Sequence, residues 1–148
     1  MVLIVLFPFL LVLTVSVHYG FLTRLRAILD TDWKQSIKLI AIICGLFVAH
    51  VVEVVVYAFV YYFSHLIPGF GKLQGVSFND WDNVLYFSFV AYSSLGAGDL
   101  SASGGLKILY GLEAINGLVL ITWSASFSLL AMNRMKFCHP CSGKDSTE

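Results

Sequence analysis

Charged residues are scarce in this 148-residue chain: Asp, Glu, Lys and Arg make up 12% of it, and nine basic residues balance nine acidic ones. Without net positive charge the chain has no field to attract nucleic acid, which excludes a nucleic-acid-binding protein. Its three cysteines are too few for a small secreted domain held together by disulfides. Intrinsic disorder is also excluded, because 58% of the residues are hydrophobic.

Long runs of apolar residues make up most of the sequence. A membrane-spanning helix needs about 20 mostly apolar residues, and residues 1–20, 36–63 and 105–135 meet or approach this requirement. The first run lacks the basic start and the A-x-A cleavage site of a secretory signal peptide, so we expect a retained span. A fourth run, residues 84–95, is too short to cross a bilayer. The sequence predicts an all-α membrane protein with three transmembrane helices and one re-entrant segment in the lipid bilayer.

The basic residues indicate the orientation. Seven of the nine lie within residues 21–38 and 133–148. Because Lys and Arg collect on the cytoplasmic side of membrane proteins, we expect a cytoplasmic connection at residues 21–35 and a cytoplasmic tail at residues 136–148. The N-terminus is then outside the cell membrane, and the segment between the second and third spans faces the exterior.

Two glycines at alternate positions mark the segment Ser94-Leu95-Gly96-Ala97-Gly98-Asp99, called the filter segment below. It follows a short predicted helix at about residues 80–93. Glycine adopts positive φ without penalty, so successive carbonyls can turn to the same side of the strand. One strand would leave these carbonyls unpaired, whereas four copies around an axis form rings of oxygens that replace the water around a dehydrated cation. The pattern predicts a monovalent-cation site built from backbone.

The arrangement resembles the pore module of potassium channels: an outer helix at 36–63, a pore helix at about 80–93, a filter at 94–99 and an inner helix at 105–135. The filter pattern of that family is T-V-G-Y-G-D. The matching positions are Ser94 for the threonine, Leu95 for the valine, Gly96 and Gly98 for the glycines, and Asp99 for the aspartate that supports the filter.

This resemblance implies a homotetramer that passively conducts monovalent cations, with K⁺ preferred, through the carbonyls of residues 94–98. It implies no enzyme activity, no organic cofactor and no metal beyond the permeating ion. One position departs from the family, because Ala97 stands where the filter aromatic would be. A poorly selective monovalent cation channel therefore remains an alternative.

The inner helix carries further candidates. Gly117 is a possible hinge, or else a small residue that lets two helices pack closely. Asn116, Leu120 and Ser124 repeat at i+4 spacing and share one helical face. We expect this face to line a cavity below the filter, although Asn116 could instead form an interhelical hydrogen bond.

Among the ionisable residues of the predicted spans, His50, Glu53 and Glu113 are the candidates for a role within the membrane. Such residues are costly in a membrane and suggest a function, here support of the filter or gating. Hydrogen bonding between helices is the alternative that we favour, because nothing places either carboxylate on the ion path. In the tail, Cys138 and Cys141 form a C-x-x-C pair that lacks the second half of a zinc site, so we expect ordinary thiols.

A remote alternative is an intramembrane aspartyl protease, since Gly96-Ala97-Gly98-Asp99 also fits a G-x-G-D element. That chemistry requires two carboxylates that share a proton. The expected partner is an aspartate within another span, and the predicted spans contain Glu53 and Glu113 but no aspartate.

Overall fold

The computed structural model describes residues 2–75, 80–96, 98 and 100–135, without the side chains of Val2, Leu3 and His65. The predictions made for Ala97, Asp99 and residues 136–148 lie outside the described residues. The helices are α1 (Val2–Ile28), α2 (Gln35–Phe63), α3 (Trp81–Tyr92) and α4 (Gly105–Arg134), with a 3₁₀ turn at Ser64–Leu66. Two short strands, β1 (Leu73–Gln74) and β2 (Ser101–Ala102), complete the described elements.

Three of the helices are long and apolar enough to cross a membrane: 25 residues of α1 (Ile4–Ile28), the 29 residues of α2 and the 30 residues of α4. The prediction of an all-α membrane protein with three spanning helices is confirmed. The fourth helix, α3, has 12 residues, which at 1.5 Å per residue is about 18 Å, too short to span.

Helix α1 is longer than the sequence predicted. It continues to Ile28, so most of the connection expected at residues 21–35 is helical and only residues 29–34 join α1 to α2. The physical reason is that Leu22 and Leu25 extend the apolar face of α1 and pack in one buried cluster with Ile42 and Leu46 of α2. Burial of this face favours a helix that continues α1 without a break.

Two apolar clusters lie at opposite ends of the helix bundle. One joins Leu10, Tyr57, Tyr61, Phe87, Leu106 and Leu109, among others. The second includes Leu22, Leu25, Ile42, Leu46, Ala131 and Met135. Buried polar side chains lie between these two clusters on the spanning helices, and one more lies on α3. We call this set the polar layer: Thr14, His18, Glu53, Ser88, Glu113, Asn116 and Ser124. Buried polar groups need partners in a membrane interior, and the next subsection describes them.

The two strands connect the segment before α3 to the segment before α4. Leu73 pairs with Ala102, and Gln74 with Ser101, in an antiparallel ladder. Next to it, the backbone N–H of Gly105 donates to the carbonyl of Phe70 at 2.7 Å. These bonds fix the chain between the filter segment and the start of α4 to the segment that follows α2.

Candidate functional site

Helix α3 packs against α2 and α4 through a buried face that includes Val84, Phe87, Ser88, Ala91 and Tyr92. Its last residue is Tyr92. The filter segment begins two residues later, so the position of this helix end determines the position of the filter.

The backbone of the filter segment has an unusual sign pattern. Ser94, Gly96 and Gly98 have φ values of 59°, 85° and 58°, and Ser94 is the only described non-glycine residue with a positive φ. Leu95 between them therefore has a negative φ. Alternation between left- and right-handed backbone turns successive carbonyls to one side of the strand, which a regular β-strand cannot do. Gly96 and Gly98 thus have the positive φ that the glycine spacing predicted, while the rings of carbonyls stay a prediction.

The described residues of the filter segment (94–96 and 98) lie on the surface of the chain. Leu95 is 80% exposed, and a Cβ added at Gly96 or Gly98 would have no heavy atom within 4 Å. The N–H groups of Ser94 and Leu95 donate back to the carbonyls of Ala91 and Val90, at 3.0 and 3.2 Å. The start of the segment is thus bonded to α3, while its two glycines are exposed at the surface of the chain.

One buried carboxylate of the polar layer holds the end of α3. The Tyr92 hydroxyl donates to Oε2 of Glu53, and Nδ1 of His50 lies 2.9 Å from the same hydroxyl. Nδ1 of His18, in α1, lies 2.9 Å from the other oxygen of Glu53. The side chains of Glu53 and His18 have no exposed surface, so this network joins α1, α2 and α3 inside the subunit.

A second buried carboxylate holds the middle of α3. Glu113 of α4 accepts a hydrogen bond from the Tyr61 hydroxyl at 2.5 Å and from the Ser88 hydroxyl at 2.6 Å. The Ser88 oxygen also lies 2.9 Å from the carbonyl of Val54. Through Ser88, this network connects α3 to both α2 and α4.

Replacement of Tyr61 by Phe tests the Glu113 network. The variant removes one donor from a fully buried carboxyl group, and we expect the free energy of unfolding to fall by about 1–3 kcal/mol. Tyr19→Phe is the matched control. The Tyr19 side chain is 59% exposed, so loss of its hydroxyl should change the free energy of unfolding little. Thermal unfolding in detergent measures both variants. Equal stability of the two would contradict the structural role of the Tyr61–Glu113 hydrogen bond.

Gly117 lies where α4 touches the end of α3. A Cβ at this position would lie 2.3 Å from the carbonyl oxygen of Tyr92 and 3.1 Å from its ring. Gly117 therefore permits direct contact between the backbones of the two helices. Helix α4 is continuous through this position.

The face that we expected to line a cavity lies instead in the interior of the subunit. Asn116, Leu120 and Ser124 are all buried. The Asn116 amide donates to the hydroxyls of Thr14 and Tyr57 at 2.9 and 3.0 Å. The physical reason is that α1 and α2 cover this face and supply partners for the Asn116 amide N–H and the Ser124 hydroxyl.

Sequence reasoning did not single out several residues of these networks, among them His18, Ser88 and Tyr92. His18 gave one usable signal, since it is a titratable residue near the middle of a long apolar helix. Ser88 and Tyr92 gave none, because a serine and a tyrosine are unremarkable in a short half-buried helix.

The sequence also matches a protein family described as an ion channel, over residues 49–132, which is more than half of the chain. The chain belongs to this ion channel family. The matched region contains the second half of α2, all of α3 and the filter segment, and nearly all of α4, while α1 lies outside it. No curated protein and no solved structure matches the chain. Family and helices together identify a multi-pass membrane protein that conducts ions.

Proposed function

We propose that four copies of the chain form a potassium channel of the cell membrane, with the N-terminus outside and the C-terminus in the cytoplasm. K⁺ binds in rings of backbone carbonyls from Ser94 to Gly98 that replace its hydration water. The observation that carries the proposal is the positive φ of Ser94, Gly96 and Gly98 on the subunit surface. One exposed filter segment can contact an ion from one side only. The filter segments of other copies of the chain are needed to surround it.

Two features of the surrounding structure support the proposal. The C-terminal end of α3 directly precedes the filter segment, and a helix C-terminus carries partial negative charge that favours a nearby cation. Both buried carboxylate networks hold α3 by its own side chains, Tyr92 and Ser88. A filter that must keep a fixed width needs such a rigid support.

The alternative of a poorly selective cation channel rests on one observation. An apolar cleft of about 350 Å³ lies beside Gly96, and Phe87, Leu100 and Tyr110 contribute to its walls. In the family that this chain resembles, the filter aromatic packs against the pore helix. With Ala97 at that position, the cleft gives the filter segment room to widen.

Cation flux tests the proposal. The full chain, purified and inserted in liposomes loaded with K⁺ or with Na⁺, should release K⁺ faster than Na⁺ down an imposed gradient. Equal rates would support the poorly selective channel. No cation release, together with cleavage of a membrane peptide by the same preparation, would instead support the protease.

Ala97→Tyr should increase selectivity. We expect the ratio of K⁺ to Na⁺ permeability to rise about tenfold, which corresponds to 1.4 kcal/mol of discrimination, because a ring at this position can fill the cleft and hold the filter narrow. Ala97→Ser is the control, since it adds an atom but no ring. An unchanged or lower ratio in Ala97→Tyr would contradict the role given to the missing aromatic.

A further inference from the structure

The polar layer contains a cluster that the proposed conduction path does not use. His18 of α1 meets His50 and Glu53 of α2, and the three potential ligand atoms all lie within 4.8 Å of one another. The carboxylate lies between the two rings, 2.9 Å from Nδ1 of His18 and 3.4 Å from Nδ1 of His50. Two imidazoles and a carboxylate that converge inside a membrane protein need an explanation beyond apolar packing.

We propose that His18, His50 and Glu53 bind one divalent transition-metal ion of the Zn²⁺ type, at a site that links α1 to α2 behind the pore helix. Two histidines and one glutamate are a donor set that Zn²⁺ takes in proteins, and imidazole also suits Cu²⁺ and Ni²⁺. Hard cations such as Mg²⁺ and Ca²⁺ prefer all-oxygen sites, so they do not fit this cluster.

The distances fit this chemistry. Metal–ligand bonds of 2.0–2.1 Å in a tetrahedral site separate neighbouring ligand atoms by about 3.4 Å. Nδ1 of His18 lies 2.9 Å from Oε1 of Glu53, and Nδ1 of His50 lies 3.4 Å from Oε2, both within about 0.5 Å of this separation. The three ligand atoms lie within 4.8 Å of one another, so an ion would draw the most distant pair together by up to about 1.4 Å. The fourth position is left to water. The Tyr92 hydroxyl contacts both Glu53 and His50, so it lies beside the proposed ion.

The outer partners of the two rings are already in place. While Nδ1 of each ring faces the carboxylate, Nε2 of each ring faces the hydroxyl oxygen of Ser124, at 3.3 Å for His18 and 2.9 Å for His50. A histidine that binds a metal usually donates its other N–H to an oxygen, which fixes the tautomer and the ring orientation. A hydroxyl oxygen has two lone pairs and can accept from both rings.

Access to the cluster is through His50. The side chains of His18 and Glu53 have no exposed surface, whereas His50 keeps 20% of its surface exposed. A bound ion would compete with the Tyr92 hydroxyl for Glu53. Since Tyr92 ends α3 two residues before the filter segment, metal binding would act on a contact that positions the filter.

The test is Zn²⁺ binding to the full chain, purified without a histidine tag and measured by equilibrium dialysis and calorimetry. All variants carry Cys138→Ser and Cys141→Ser, so that tail thiols bind no metal. We expect one Zn²⁺ per subunit, and an affinity at least about 100-fold lower in His18→Asn and in His50→Asn. His65→Asn is the matched control, the same substitution in the 3₁₀ turn beyond α2, and should bind as the parent does. Absence of Zn²⁺ binding, or binding that His50→Asn leaves unchanged, would overturn the proposal.

A fluorescence measurement covers the case in which His18→Asn fails to fold. The His18 ring lies 5.3 Å from the Trp123 ring, so Cu²⁺ in the site should quench Trp123. His50→Asn, which alters a partly exposed side chain, should remove this quenching while its circular dichroism matches the parent. Trp123→Phe should remove the quenched component. Quenching that persists in His50→Asn would mean that the ion binds elsewhere and would contradict the proposed site.

Discussion

Gly117→Ala is expected to abolish conduction and to lower the free energy of unfolding by about 1–3 kcal/mol. The new Cβ would lie 2.3 Å from the carbonyl oxygen of Tyr92, a distance at which one of the two helices must move. The clashing atom belongs to the backbone at the end of α3, which cannot move aside as a flexible side chain can. Because the filter segment begins two residues later, a shift of this helix end would displace it. Thermal unfolding in detergent and K⁺ flux in liposomes measure the two effects.

Gly111→Ala is the matched control for this prediction. It makes the same substitution in the same helix, at a position where a Cβ would meet no atom within 4 Å. Alanine also favours helix over glycine by up to about 1 kcal/mol, so Gly111→Ala should be as stable as the parent or more so, with unchanged flux. If Gly117→Ala behaved in the same way, α3 and α4 would not be in the contact that the structure describes.

Gly96→Ala is expected to reduce K⁺ flux by at least about tenfold while the subunit stays folded. Gly96 has a φ of 85°, and an L-residue in left-handed backbone loses roughly 1–2 kcal/mol. A Cβ at this position has open space within the subunit, so no clash disturbs the helices. The strained backbone should turn the neighbouring carbonyls away from the ion. We therefore expect ion binding to be lost while the helices stay folded.

Gly20→Ala controls for the substitution itself, because the nearest atom to its new Cβ would be the flexible end of Arg24 at 3.5 Å. Its flux and its thermal unfolding should match those of the parent. Flux unchanged in both variants would mean that ions do not pass along the backbone of residue 96. Loss of folding in Gly96→Ala would show that the filter segment supports the subunit, contrary to its exposure.

The helices that cross the membrane could be predicted from the sequence, because long apolar runs allow few other structures. The predicted inner helix at 105–135 and outer helix at 36–63 differ by one residue from α4 and α2. The end of α1 was predicted eight residues too early. Arg24 and Arg26 suggested a polar connection, but the burial of Leu22 and Leu25 outweighs them. Charged side chains on an exposed helical face do not end a helix when its other face is buried.

The polar layer could not be predicted in the same way. The i+4 spacing correctly placed Asn116, Leu120 and Ser124 on one face, but spacing does not tell what covers a face. This face is covered in part by α1, which lies outside the two-helix module that the sequence resembles. Its contacts join distant parts of the chain, such as Asn116 and Thr14, 102 residues apart. Pairings over such distances come from tertiary packing, and one sequence contains no local signal for them.

The reversal potential across a bilayer with K⁺ on one side and Na⁺ on the other tests the central proposal most directly. Each tenfold preference for K⁺ moves this potential by about 59 mV. Conduction through four sets of carbonyls from residues 94–98 predicts a potential at least this far from zero, negative on the K⁺ side. A current that reverses near zero would contradict potassium selectivity, and the absence of any cation current would contradict conduction through the filter segment.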